Sequence, residues 1–205
     1  MLSRPELKIQ ARATLMGKWT QPVLATLIIV IVSSFSQVGS SVHSPLLIST
    51  GSLVMLFIGA NMQYGFDVGI LRFNRGREST VNEMFSAGFK EDYGRVLGIV
   101  LLTALYTILW TLLFVIPGII KAYSYGMTNL IAEDNPELGP NECIERSMAM
   151  MEGHKMELFL LDLSYIGWIL LGIITCGIGL LWVIPWMQMA HVKFYEQLKA
   201  ETAAA

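Results

Sequence analysis

Apolar runs near 20 residues long alternate with short polar stretches along this chain, and those runs define its elements. About 20 apolar residues cross a hydrocarbon layer of roughly 30 Å. The pattern predicts six spans: Trp19 to Gln37, Pro45 to Leu71, Gly94 to Phe114, Ile116 to Ile131, Met156 to Ile174 and Gly179 to Tyr195. Pro117-Gly118 separates the third from the fourth. Without that break Val96 to Leu130 would form one helix too long for a bilayer. Proline removes a backbone donor and disfavours helix at the residue before it, so a tight hairpin is expected there. The run from Thr175 to Gly179 predicts another between the fifth and sixth spans. A kinked single span at each break is the alternative, and it gives four spans. Residues 23–32 follow several basic residues, as the core of a signal peptide does. The segment before them reads as a capped helix that recurs twice, so retained insertion is expected over cleavage.

The polar stretches carry a threefold pattern: a capped amphipathic helix, a glycine, then a hairpin of two spans. Ser3-Arg4-Pro5-Glu6 is a capping box, and Thr80-Val81-Asn82-Glu83 repeats it. Gly139-Pro140-Asn141-Glu142 opens the third helix with proline at its first position. Each helix closes near a glycine, at Gly17-Lys18-Trp19, Gly88-Phe89-Lys90 and Gly153-His154-Lys155, which reads as a C-cap. Leu112 to Pro117 resembles Leu180 to Pro185. In the third helix Ile144, Ser147, Met148 and Met151 share a face, and Glu142 and Arg146 are spaced to pair. The expected architecture is an all-α polytopic membrane helical bundle. It forms one domain over 1–205, with pseudo-repeats of about 3–72, 79–132 and 139–199. Chance likeness among apolar segments is the alternative to a repeat.

Composition agrees. The chain is 54% hydrophobic and 15% charged, where soluble domains carry about 25% charged residues. Its formal net charge is −2, so no electrostatic footprint for nucleic acid exists. Arg4, Lys8, Arg12 and Lys18 precede the first span. Arg72, Arg75, Arg77, Lys90 and Arg95 lie between the second and third, Arg146 and Lys155 between the fourth and fifth, and Lys193 and Lys199 near the end. The other three connections hold no Lys or Arg. The positive-inside rule then puts both termini in the cytoplasm of a bacterial-type plasma membrane. Cys143 and Cys176 fall on opposite faces and are not expected to pair.

Glu133-Asp134-Asn135-Pro136-Glu137-Leu138, Asn141-Glu142, Arg146-Ser147 and Gly153-His154-Lys155 resemble the bacterial membrane family catalogued as domain of unknown function 975. So do Leu158 to Ser164, Ile166-Gly167-Trp168 and Gly177 to Trp182. That family is in turn similar to the membrane part of some glycerophosphodiester phosphodiesterases. No catalytic domain is expected in this chain, and the resemblance implies no activity.

Chemistry is sought among polar residues inside the spans, because an ionisable group at mid-bilayer costs roughly 2.5–3.5 kcal/mol on insertion scales. Asp162 sits about 10 Å into the fifth span at 1.5 Å per residue. Asp67 lies at a similar depth in the second, and the two could face one another, an arginine or a backbone amide. His191, Asn61, Gln63 and Gln188 complete the candidate intramembrane site. Asp162 is expected to hold the bundle by hydrogen bonds, a proton or substrate site being the alternative. Lys121 is estimated to lie too far from Asp162 to pair and should snorkel outward. The amides read as interhelical glue, and Gly65/Gly69, Gly94/Gly98 and Gly118/Ala122/Gly126 as close-packing positions. Trp19, Tyr93, Trp110, Trp182 and Trp186 read as interfacial belts.

Arg12, Lys18, Lys90, Arg146, His154 and Lys155 form a candidate cytoplasmic interface. The amphipathic helices there would bind headgroups or a protein partner, or pack on their own hairpins. No HExxH, GxSxG or phosphate-binding glycine loop is present. His43, His154 and His191 are scattered, so no metal or cofactor is expected. The leading expectation is a non-enzymatic interaction or accessory protein with membrane lipids as partners and a possible homo-oligomer. A small transporter or channel is the alternative.

Overall fold

The computed structural model describes residues 3–41, 45–77, 79–89 and 93–204, with backbone alone for 35–41, 45–56 and 203–204. All regular structure among the described residues is helical. The order is α1 (Arg4–Leu15), α2 (Thr20–Ser41), α3 (Pro45–Asn74), α4 (Val81–Phe89), α5 (Tyr93–Leu113) and α6 (Val115–Ser124). Then come α7 (Thr128–Asp134), α8 (Pro140–Met150), α9 (Lys155–Leu163), α10 (Ile166–Ile174) and α11 (Leu180–Ala204). By length and composition two stretches among the described residues can cross a membrane, Tyr93–Leu113 and Lys155–Ile174. A third qualifies if α1 and the start of α2, bent by 100°, count as one span.

All three capping signals act. Ser3 and Thr80 donate their backbone N–H to Glu6 and Glu83 at 2.7 and 2.8 Å, and Gly139 N–H donates to Glu142 at 2.7 Å. These bonds satisfy donors that the first helical turn leaves open. Gly17 (φ 78°) and Gly153 (φ 82°) end α1 and α8 in the left-handed region, as C-caps require. Gly88 does not cap. It lies within α4, buried against the backbone of Asn61, where a Cβ would have no room. The expected Glu142–Arg146 pair also gives way, because Glu142 caps Gly139 while Arg146 donates to Asn135 Oδ1 at 2.9 Å.

The hairpin breaks fall near the predicted places. The first opens at Phe114, whose φ of −155° is extended, and Pro117 lies in the first turn of α6. A proline is tolerated there because those amides lack intrahelical partners anyway. At the second break Thr175 Oγ1 accepts the Gly179 N–H at 3.0 Å, with Cys176 and Gly177 at positive φ. The fourth predicted span is not one helix, since α6 ends at Ser124 and α7 restarts at Thr128. The fifth is interrupted at Ser164–Tyr165, and the last helix runs on past Tyr195 to Ala204.

Three of the short helices pack chiefly on helices other than the one that follows them. α4 lies along α3, α8 against α5 and α7, and α1 along α11. The α3–α4 contact is made by glycine, since a Cβ at Gly65 or Gly69 would run into Met84. Of the face predicted from Ile144, Ser147, Met148 and Met151, all but the half-buried Met148 are buried, and Ser147 Oγ bridges Ser124 O and Met127 N–H at 2.8 and 3.2 Å. On α1, Leu7, Ala11 and Leu15 form the buried stripe. The second helices of the hairpins, α3 and α11, meet each other, and α3 also meets α7. Both cysteines are free.

Gly65→Ala is expected to lower the thermal unfolding midpoint in detergent, at a cost of about 1–3 kcal/mol for overpacking. Gly94→Ala, where nothing lies within 4 Å of the added carbon, should be neutral or slightly stabilising. Equal midpoints for the two variants would refute the glycine contact.

Candidate functional site

Two layers of polar side chains join α3, α7 and α11. The inner layer is built on Asp67 of α3. Its Oδ1 accepts hydrogen bonds from Gln63 Nε2, one turn earlier, and from Gln188 Nε2 of α11, both at 2.8 Å. Its Oδ2 accepts from Asn129 Nδ2 of α7 at 2.7 Å. Three amide donors therefore surround one buried carboxylate. One turn along α11 from Gln188, His191 Nε2 bonds Asp162 Oδ1, and Tyr123 of α6 donates to Oδ2 at 3.0 Å. With Asp162 ionised, the histidine nitrogen is the donor. Asp162 and His191 are about a quarter and a fifth exposed, and Gln63 is exposed, whereas Asp67 is buried.

The structure thus brings together five of the six predicted intramembrane residues. Asn61 stands apart, donating Nδ2 to Phe57 O at 2.6 Å within its own helix. Tyr123 and Asn129 belong to the cluster and were missed. Lys121 does not reach Asp162. Its ammonium lies 5.1 Å from the centre of the Trp110 ring and 3.8 Å from Met148 Sδ, so it folds onto neighbouring side chains instead of snorkelling freely.

The outer layer lies eight residues further along α3, about 12 Å at 1.5 Å per residue. Its centre is Glu133-Asp134-Asn135. Arg75 grips Asp134 through both terminal nitrogens, one at 2.7 Å, and donates through Nε to Glu196 of α11 at 2.7 Å. Lys199 and Tyr195 of α11 also donate to Asp134. Arg72 donates to Glu133 at 2.7 Å. Arg95 closes the end of α7, donating to the carbonyls of Leu138, Ala132 and Asn135 at 2.7, 3.2 and 2.8 Å. A cation at a helix C-terminus opposes the negative end of the helix dipole. Asp134 is only 7% exposed. Burial pushes its carboxyl up, but the bonds from Arg75, Lys199 and Tyr195 outweigh that and hold it well below the ordinary range.

The predicted interface residues do not form one surface. Arg12 lines two adjoining cavities beside α1, of about 850 and 570 Å³. Arg146 and His154 line a third of about 600 Å³ between α7, α8 and α11, with Glu152 and Lys199. Lys18 lines a small cleft of about 220 Å³ against Ser79 and Thr80. Lys155 begins α9. Lys90 and His43 lie outside the described residues. Among the described residues no group of three or more His, Cys, Asp or Glu is placed to hold a metal ion.

These features define an all-helical protein with helices apolar enough to cross a membrane and polar ties between them. The chain belongs to the family described as "Protein of unknown function (DUF975)", whose model matches residues 1–128 and 111–202. No curated protein and no solved structure matches it.

Asp67→Leu leaves three amides without their acceptor and is expected to cost about 2–4 kcal/mol of stability, at 1–3 kcal/mol for each group left unsatisfied, offset by relaxation. Asp67→Asn keeps one acceptor and should cost less. Equal denaturation midpoints for the two would count against the amide cage. Asp134 is held below the ordinary aspartate range near 3.8 when the chain is folded, so its contribution is complete above about pH 4 and fades as pH falls towards the folded value. Asp134→Asn should lower stability at pH 7 by roughly 2 kcal/mol and flatten the acid limb of the melting profile. An unchanged acid limb would refute this.

Proposed function

We propose that this protein is a non-enzymatic interaction or accessory component of a bacterial plasma membrane. It would cross the membrane six times, with both termini in the cytoplasm. The three units would be related by a pseudo-threefold axis near α3, α7 and α11, each amphipathic helix docking on the last helix of the preceding unit, with α1 closing the ring on α11. In favour of the repeat, α4 on α3, α8 on α7 and α1 on α11 are cyclically equivalent contacts.

The observation that carries the functional reading is how the carboxylates are used. All four oxygens of Asp67 and Asp162 accept hydrogen bonds from neighbouring helices or from their own. Satisfied carboxylates of this kind fix helices to one another. What remains for a partner is the end of the bundle carrying the basic residues, where the cleft between α7, α8 and α11 presents Arg146, His154, Lys199 and Glu152. Such a mixed-charge cleft suits a polar peptide segment or a lipid headgroup.

A transport reading has one observation of its own. Asp67 and Asp162 reach α11 within one turn, through Gln188 and His191, and the second group is partly exposed. It expects His191→Ala or Asp162→Asn to alter ion or solute flux in liposomes. The accessory reading expects unchanged flux and altered stability alone.

Two measurements test the proposal. A membrane-impermeant maleimide applied to intact cells should label exposed Cys176, and buried Cys143 should resist it. Labelling of Cys176 only after lysis would overturn the topology. Extraction of the full chain from native membranes into polymer-bounded discs after cross-linking should recover a defined partner or an enriched lipid class. An extract with neither would overturn the interaction reading.

A further inference from the structure

We propose that the groove between α1 and the hairpin of α9, α10 and α11 binds one molecule of an anionic phospholipid. Arg4, Lys8 and Arg12 would gather its phosphate, and tryptophans would flank its acyl chains. The inference rests on the interaction reading above and names the ligand class and the place.

The groove has two compartments. The larger, about 850 Å³, is lined by Arg4, Lys8 and Arg12 against a single carboxylate, Glu157. The smaller, about 570 Å³, is lined by Leu171, Trp182 and Val183 among others, and Arg12 is its one charged residue. The two share Arg12, Trp168 and Trp186, so one leads into the other. A cationic chamber that opens into an apolar one matches an amphiphile with an anionic head. A free phosphate would leave the second compartment unused. A zwitterionic headgroup would bring its own ammonium against three cations.

The sequence builds this arrangement simply. Residues 4, 8 and 12 recur every four positions and so form one stripe on α1. The stripe of Leu7, Ala11 and Leu15 beside it is buried. Lys8 is held in place, since Nζ donates to Ser164 O and Oγ at 2.9 and 3.2 Å and lies 4.4 Å from the centre of the Tyr165 ring. Trp186 Nε1 donates to Lys8 O at 2.9 Å, which fixes the wall shared by both compartments. Arg4 and Arg12 are exposed on either side of it. Basic pockets beside membrane helices select anionic headgroups, and indole rings favour the headgroup level.

Native mass spectrometry of the full chain in detergent, titrated with phosphatidylglycerol and with phosphatidylcholine of the same acyl chains, tests the site. One phosphatidylglycerol should be retained by the wild type at a concentration about tenfold or more below that needed for phosphatidylcholine, because basic residues near the surface attract anionic headgroups. The double variant R4Q/R12Q should lose that preference and keep its weak phosphatidylcholine binding. L171W, which fills the apolar compartment at an exposed position, should weaken both lipids and keeps the test open if the double variant does not fold. R77Q removes one exposed cation elsewhere and should keep the preference. Equal retention of both lipids by the wild type would overturn the proposal, as would a preference surviving in R4Q/R12Q or lost in R77Q. A preference that survives in R4Q/R12Q removes the groove and leaves the interaction reading standing. That reading falls only if the native-membrane extract also holds no partner and no enriched lipid.

Discussion

Asp134 is the point on which the arrangement of the helices depends. It sits at the end of α7, a helix of 7 residues, too short to hold its place by its own backbone bonds. Four donors from Arg75, Tyr195 and Lys199 hold it between the end of α3 and the last turns of α11. Its neighbours extend the grip, Glu133 taking Arg72 and Asn135 taking Arg146. Two residues of one short helix thus tie together segments some 60 positions away in either direction. Asp67 does the same one layer deeper. Two layers of ties fix both the spacing and the rotation of α3, α7 and α11, which one layer would not. In lipid this matters more than in water, because hydrocarbon tails compete with apolar side chains and burial alone drives little helix association.

Much of the fold was legible in the sequence because capping and turn chemistry are local. Ser3, Thr80 and Gly139 with their glutamates mark three helix starts that the structure keeps. Gly17 and Gly153 mark two of the stops. The hairpin at Phe114 lies three residues before the expected Pro117, because proline belongs inside the first turn of the following helix. Gly88 was misread, since a glycine at a close backbone approach and one at a left-handed cap are alike in sequence. The break at Tyr125–Met127 has no proline to announce it, and it is bridged by Ser147, which takes up Ser124 O and Met127 N–H.

The polar cluster around Asp67 and Asp162 was legible only in part. An ionisable residue inside an apolar run stands out, which is why Asp67, Asp162 and His191 were found. Their partners Tyr123 and Asn129 carry no such mark, since a tyrosine within an apolar run or an asparagine near its end is ordinary. The outer layer was missed for a different reason. Orientation is read from basic residues alone, so Arg72 and Arg75 were counted as topology signals, and Glu133 and Asp134 were noticed only as part of a resemblance. Acids at the end of one apolar run, matched with arginines at the end of another, were the available signal.

The three capped helices differ in what they present to the helix they pack on. α4 meets α3 through Gly65, Gly69 and Gly88, so backbones touch and no space remains. α8 meets α7 through Ser147, whose short side chain bonds the broken backbone directly. α1 meets α11 through Leu7, Ala11 and Leu15 on one side and through Lys8 and Trp186 on the other. The α1 seam carries the long side chains of Lys8 and Trp186 where the α4 seam carries glycine. The groove at the α1 seam is bordered by the arginines of α1 because the same four-residue spacing that buries its leucines lines up its cations. A seam of that composition would be a poor choice if close packing were its only task, and it is the seam at which the proposed ring would close.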